Sequence, residues 1–132
     1  MMKKIKILHL VGGPLTAGAF KGSFILHNSL LKLGINSKIL NDRPPSDIKY
    51  LSKKDVENLI FVNKNFFRKI FNLLFVILEK TFNALFLKAP RSTFTLGLLG
   101  FDLTKLKEYD DADIIHIHWL GKGFIKLSSI KK

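Results

Sequence analysis

The chain has no cysteine, four prolines and one tryptophan in 132 residues. Without cysteine it holds no disulfide and no thiolate metal site, and a reducing compartment is compatible with it. So few prolines, beside a hydrophobic fraction of 47%, exclude a disordered linker and favour a packed core. At this length one domain is expected. Acid is the scarce charge: 10 Asp and Glu stand against 22 Lys and Arg, a net charge of +12. That excess suits an anionic partner, such as a phosphorylated sugar, an acidic lipid or nucleic acid. A composition rich in Lys, Ile, Asn and Phe yields the same balance without any partner.

Long apolar runs are also missing. The N-terminal run is interrupted by Lys6 and His9 and closed by Gly12-Gly13-Pro14, which falls short of the roughly 7–15 uninterrupted residues of a secretory signal. The longest nearly apolar stretch, Ile70 to Leu78, stops at Glu79-Lys80. A spanning helix needs about 20 such residues, so none is expected.

What is present reads as strand, glycine loop, helix, strand. Ile5 to Val11 is short and β-branched, and the small residues Gly12 to Ala19 follow it. Phe20, Phe24, His27 and Leu31 then recur at helical spacing until Gly34, and Ile35 to Leu40 forms a second strand. This is a βαβ unit with a right-handed crossover, and it predicts an α/β fold with a Rossmann-like parallel sheet flanked by helices. Gly12, Gly13 and Gly18 let a ligand approach the backbone, and the helix start favours an anion. Lys21 either neutralises a phosphate there or is simply solvated. The spacing is not G-x-G-x-x-G, which argues against a dinucleotide site even though Asp42 ends the second strand.

Ser52 and Asp55 predict a helix start. Residues 61–91 then hold Phe61, Phe66, Phe67, Phe71, Phe75, Phe82 and Phe86 among mostly basic charges. They are expected to be helical, either lying on an anionic membrane surface or packing as core helices. No nucleic-acid-binding signature accompanies the charge, so nucleic acid is not an expected partner. Residues 91–103 look irregular, Thr104 to Tyr109 looks like a short helix, and Phe124 to Ile130 looks like the start of another.

Between them lies Asp113-Ile114-Ile115-His116-Ile117-His118-Trp119. On a strand the side chains alternate, so His116 and His118 share one face and Ile115 and Ile117 the other. Ligands of open α/β sheets collect at the carboxyl ends of strands. His118, nearer that end, is the expected ligand contact, and His116 is expected deeper, hydrogen-bonded in the core. No third ligand stands at a recognisable spacing, so no metal site is expected. Nor does any serine sit in a nucleophile elbow.

Ile5-Lys6-Ile7-Leu8-His9-Leu10, Gly18-Ala19-Phe20-Lys21-Gly22-Ser23, Leu26-His27-Asn28-Ser29-Leu30 and Ala112-Asp113-Ile114-Ile115-His116-Ile117-His118-Trp119 together resemble the N-terminal part of the retaining, GT-B-fold glycosyltransferases of family 4. The look is closest to their bacterial exopolysaccharide and colanic-acid-type branch. The resemblance covers about 1–45 and 96–132 and leaves out the phenylalanine-rich middle. It implies that 1–132 is a single, truncated, acceptor-side domain of an enzyme moving a sugar from a nucleotide-sugar donor to a glycan or lipid-linked acceptor. It further implies His118 as the catalytic contact, with Gly12, Gly13, Gly18, Lys21, His116 and Trp119 binding substrate, and no cofactor. Trp119 and Phe124 would stack on a sugar or be buried under a following helix. The family's Glu-x7-Glu nucleotide-binding segment is not in this sequence, so a missing C-terminal GT-B domain is the expected partner and the chain alone is expected to be inactive. Location is expected in the cytoplasm, peripheral at the inner face of the plasma membrane.

Overall fold

Lys6–Val11 forms strand β1, where Ile7, Leu8, Leu10 and Val11 suit a pleated surface covered on both sides. A computed structural model describes residues 4–43, 51–62, 66–86, 97–121 and 123–131. Helix α1 (Gly18–Lys32) follows and ends where Gly34, at φ 77°, takes the left-handed conformation. The Gly34 and Ile35 amides donate to the Leu31 and Leu30 carbonyls, a Schellman closure that needs glycine at that position. Strand β2 (Asn36–Asn41) and helix α2 (Lys53–Glu57) come next. The hydroxyl of Ser52 and the carboxylate of Asp55 each accept the other residue's amide, so the predicted cap is a full capping box.

Strand β3 (Leu59–Phe61) leads to helix α3 (Phe66–Phe86), then to helix α4 (Lys107–Asp111) and strand β4 (Ile114–Trp119). The four strands make one all-parallel sheet in the order β3-β2-β1-β4. The fold is therefore α/β and Rossmann-like. The chain adds β2 and β3 on one side of β1 and then crosses to add β4 on the other. The carboxyl ends of β1 and β4 thus flank the switch point of the strand order, the place where open α/β sheets hold ligands.

Each sheet face has its own core. Leu8, Leu10 and Leu40 pack with Leu103, Tyr109, Phe124 and Ile125 on one side. Val11 and Ile39 pack with Phe20 of α1 on the other. Each fully buried leucine contributes roughly 2 kcal/mol of apolar transfer, so these two layers hold in place the sheet and its strand ends.

Three expectations change. Phe61 belongs to β3 rather than to the helical segment, which runs over 66–86; residues 87–91 lie outside the described residues. Second, the described residues of that segment are packed less than those of a core helix. Phe66, Phe67, Phe71, Leu73, Leu85 and Phe86 are all exposed, so α3 packs few of its apolar side chains. Finally, Phe124 to Ile130 is no helix and carries only a 3-10 turn at Leu127–Ser129. The reason is a competing partner: the Phe101 amide donates to the Phe124 carbonyl and the Lys126 amide to the Phe101 carbonyl. That parallel bridge takes the backbone groups a helix would need.

Candidate functional site: a four-histidine cluster at the β1–β4 seam

All four histidines of the chain, His9, His27, His116 and His118, meet on the face of the sheet that carries α1. His9 stands mid-way along β1, in register with His116 of β4. Its ring centroid lies 5.2 Å from those of both His116 and His118, which stack on each other at 4.2 Å. His27 reaches the cluster from α1, edge-on to His9 at 6.3 Å. The shared face of His116 and His118 is readable from the sequence. The contribution of His9 is not, because a residue 109 positions away becomes a neighbour only through strand pairing.

A chain of hydrogen bonds fixes the rings. His9 Nδ1 pairs with His118 Nε2 at 3.0 Å, and His9 Nε2 pairs with Ser37 Oγ at 3.1 Å. Ser37 Oγ also pairs with His27 Nδ1 at 2.7 Å. Ser37, His9 and His27 are fully buried, and His27 Nε2 has no partner among the described residues. His9, not His116, is therefore the deep, core-bonded histidine. The cause is position, since β1 is flanked by strands on both sides whereas β4, among the described residues, has a neighbouring strand only on one. His116 and His118 are half-buried.

This environment disfavours charge. Burial, reinforced by the neighbouring His118, His116 and His27, pushes the His9 pKa from 6.5 down to about 4. Burial also lowers His27, partly opposed by the Asp55 carboxylate. His118 is lowered by burial and by the proximity of His116. Near neutral pH His9 is thus an uncharged imidazole with one proton to place between two partners.

His118 also sits at an irregularity. Leu10 pairs with Ile117 and Val11 with Trp119, so His118 is the extra residue of a β-bulge. Bulges re-aim a side chain and recur beside functional sites, and they are uncommon in parallel pairs.

The glycine loop is placed differently from its expected use. The Gly12 amide donates to the Trp119 carbonyl at 2.8 Å, and the Gly13 amide donates to Asp42 Oδ1 at 2.7 Å. A Cβ at Gly12 would stand 2.9 Å from the Phe124 ring, and one at Gly13 2.8 Å from the Trp119 ring. Both glycines therefore make room for aromatic side chains, and Asp42 puts a carboxylate where a phosphate was expected. Trp119 lies against Gly13 and Gly121 rather than under a helix, while Phe124 is core, 1% exposed. Gly18 has open space around it and Lys21 is exposed, and nothing joins either to the histidines.

A concavity of about 330 Å³ opens at the carboxyl ends of β2 and β3 between Asp42, Phe71, Phe75, Asp102 and Lys105. The sequence offers no sign of it, because its walls come from separate segments. Comparison of the chain with protein-family models, with curated proteins and with solved structures found no match.

Proposed function

We propose that the chain is the acceptor-side domain of a glycosyltransferase, binding a glycan or lipid-linked sugar while a second, nucleotide-binding domain supplies the donor. One observation carries this reading. His118 and Trp119 occupy a bulged strand end at the switch point, giving an imidazole and an indole at the place where α/β sheets bind ligands. An indole face suits the C–H surface of a sugar ring, and a half-buried neutral imidazole can exchange hydrogen bonds with its hydroxyls. Any contact to donor phosphate falls to Gly18 and Lys21, since the Gly12 and Gly13 amides are committed. Turnover requires the donor domain, so the chain alone is expected to bind sugar without transferring it.

Trp119 is the only tryptophan, so its fluorescence reports on this site directly. Titration with free and lipid-linked bacterial glycans is expected to give a saturable change. His118→Ala should weaken that response about tenfold, as loss of one hydrogen bond worth about 1.5 kcal/mol predicts. A flat response to every glycan would remove the acceptor reading.

A second reading rests on α3: the helix binds an anionic membrane surface. Phe67 is 74% exposed and Phe86 68%, Lys69 and Lys80 are also exposed, and no described helix is long and apolar enough to cross a bilayer. Exposed apolar area of this kind marks an interaction surface. Under this reading the protein works at the cytoplasmic face of the plasma membrane. Sedimentation with vesicles of anionic phospholipid is expected to retain the chain. Lys69→Gln and Lys80→Gln should each lower the partition coefficient about fivefold, following roughly 1 kcal/mol per cation. Equal retention by neutral vesicles, or retention unchanged in Phe67→Ser with Phe86→Ser, would refute it.

A further inference from the structure

We propose that His9, His116 and His118 form a binding site for one divalent transition-metal ion of the zinc class. The proposal does not rest on the sugar-transfer reading. Its ground is geometry: one ring nitrogen from each of the three lies within 4.8 Å of the other two. His9 Nδ1 and His118 Nε2 are 3.0 Å apart. Two nitrogens bound tetrahedrally to zinc at its usual bond length stand about 3.4 Å apart, so the pair needs to open only slightly. The His116 ring makes no hydrogen bond to protein among the described residues and stacks on the His118 ring at 4.2 Å, so turning it toward the ion breaks no bond of its side chain.

The surroundings resemble those that prepare metal ligands. A ligating histidine is ordinarily oriented through its other ring nitrogen. His9 Nε2 is held by Ser37 Oγ, which is held in turn by His27 Nδ1. With the His9 proton on Nε2, donated to Ser37, and the Ser37 proton donated to His27, the Nδ1 lone pair of His9 faces the site. His118 then carries its proton on Nδ1 and presents Nε2. This arrangement leaves one lone pair each on His9 Nδ1 and His118 Nε2 facing the site. Only a choice of tautomer is required.

The donor set selects the ion. Three imidazoles without a carboxylate suit zinc, copper, nickel or cobalt and disfavour magnesium and calcium, which require oxygen. Three protein ligands leave a fourth position for water, as in open rather than closed zinc sites. The partly exposed His116 and His118 lie on the accessible side, while the buried His9 forms the floor. The chain has no cysteine and no histidine outside the cluster, so no other thiolate or imidazole ligand competes in the test.

Cobalt(II) provides an optical probe and zinc the competitor, added to the full chain after removal of trace metal. One equivalent of cobalt is expected to give the intense visible bands of a four-coordinate nitrogen site, and one equivalent of zinc to abolish them. Imidazole ¹⁵N resonances should shift most for one nitrogen each of His9, His116 and His118, with His27 changing least. His116→Gln and His118→Gln should each weaken cobalt binding at least about tenfold. Ser37→Ala should weaken it by about tenfold while leaving the band positions unchanged, because Ser37 orients a ligand without being one. If either glutamine variant fails to fold, the ¹⁵N shifts of the unaltered chain decide alone. Only the pale spectrum of aqueous cobalt, or cobalt affinity unchanged in both folded glutamine variants, overturns the proposal.

Discussion

Ser37→Ala is expected to destabilise the protein by about 3 kcal/mol, an effect out of proportion to the single oxygen removed. Ser37 Oγ partners His9 Nε2 at 3.1 Å and His27 Nδ1 at 2.7 Å, and all three residues are fully buried. Without it two buried ring nitrogens lose their partners, each at about 1–3 kcal/mol. His27 is left worse, because its Nε2 already lacks a partner among the described residues. Urea unfolding should show a lower midpoint at an unchanged slope, the sign of lost stability without a change in the unfolded chain. The double variant Ser37→Ala with His27→Leu discriminates the cause. If unsatisfied polarity is the penalty, removing one of the stranded groups restores part of the loss, and the pair costs less than the sum of the single changes. Strict additivity would mean that Ser37 acts through packing alone.

The second large effect is acid lability well above the range where carboxylates protonate. His9 has its pKa lowered from 6.5 to about 4 in the folded protein. Between those values the unfolded chain binds a proton that the folded chain refuses, so stability falls as pH falls. The contribution is complete above pH 6.5, declines through the interval and is gone near pH 4. At about 1.4 kcal/mol per pKa unit it amounts to roughly 3 kcal/mol for His9 alone. His27 and His118 are shifted in the same direction and steepen the decline. The check is a series of urea unfolding curves from pH 7 to pH 4 on metal-free protein. His9→Leu should flatten most of the slope. A slope that is flat in the unaltered chain would show that His9 is not held neutral by burial.

Both predictions concern the same seam, and its visibility in the sequence is uneven. The βαβ opening is readable almost to the residue. The sequence predicts a strand over Ile5 to Val11 and the fold has one at Lys6–Val11, while Gly34 ends α1 with the positive φ its position requires. These are local matters of side-chain period and backbone freedom, which a short stretch of chain decides on its own. Strand β3 is invisible in the sequence because three residues carry too little periodicity to distinguish from the helix that follows. The helix expected at Phe124 is overruled by a bridge between Phe101 and Ile125, segments more than twenty residues apart.

The histidine strand shows the same division within seven residues. Period two alone puts His116 and His118 on one face, and the parallel α/β class makes their strand end a place for a ligand. The sequence cannot bring His9 and His27 to them, nor make His118 the odd residue of a bulge. It also cannot foretell that Asp42 occupies the Gly13 amide. Each of those depends on which distant segments pair and in what register. Period sets the face a side chain takes, but its neighbours on that face follow from the order of strands, which is settled by burying both sheet surfaces at once.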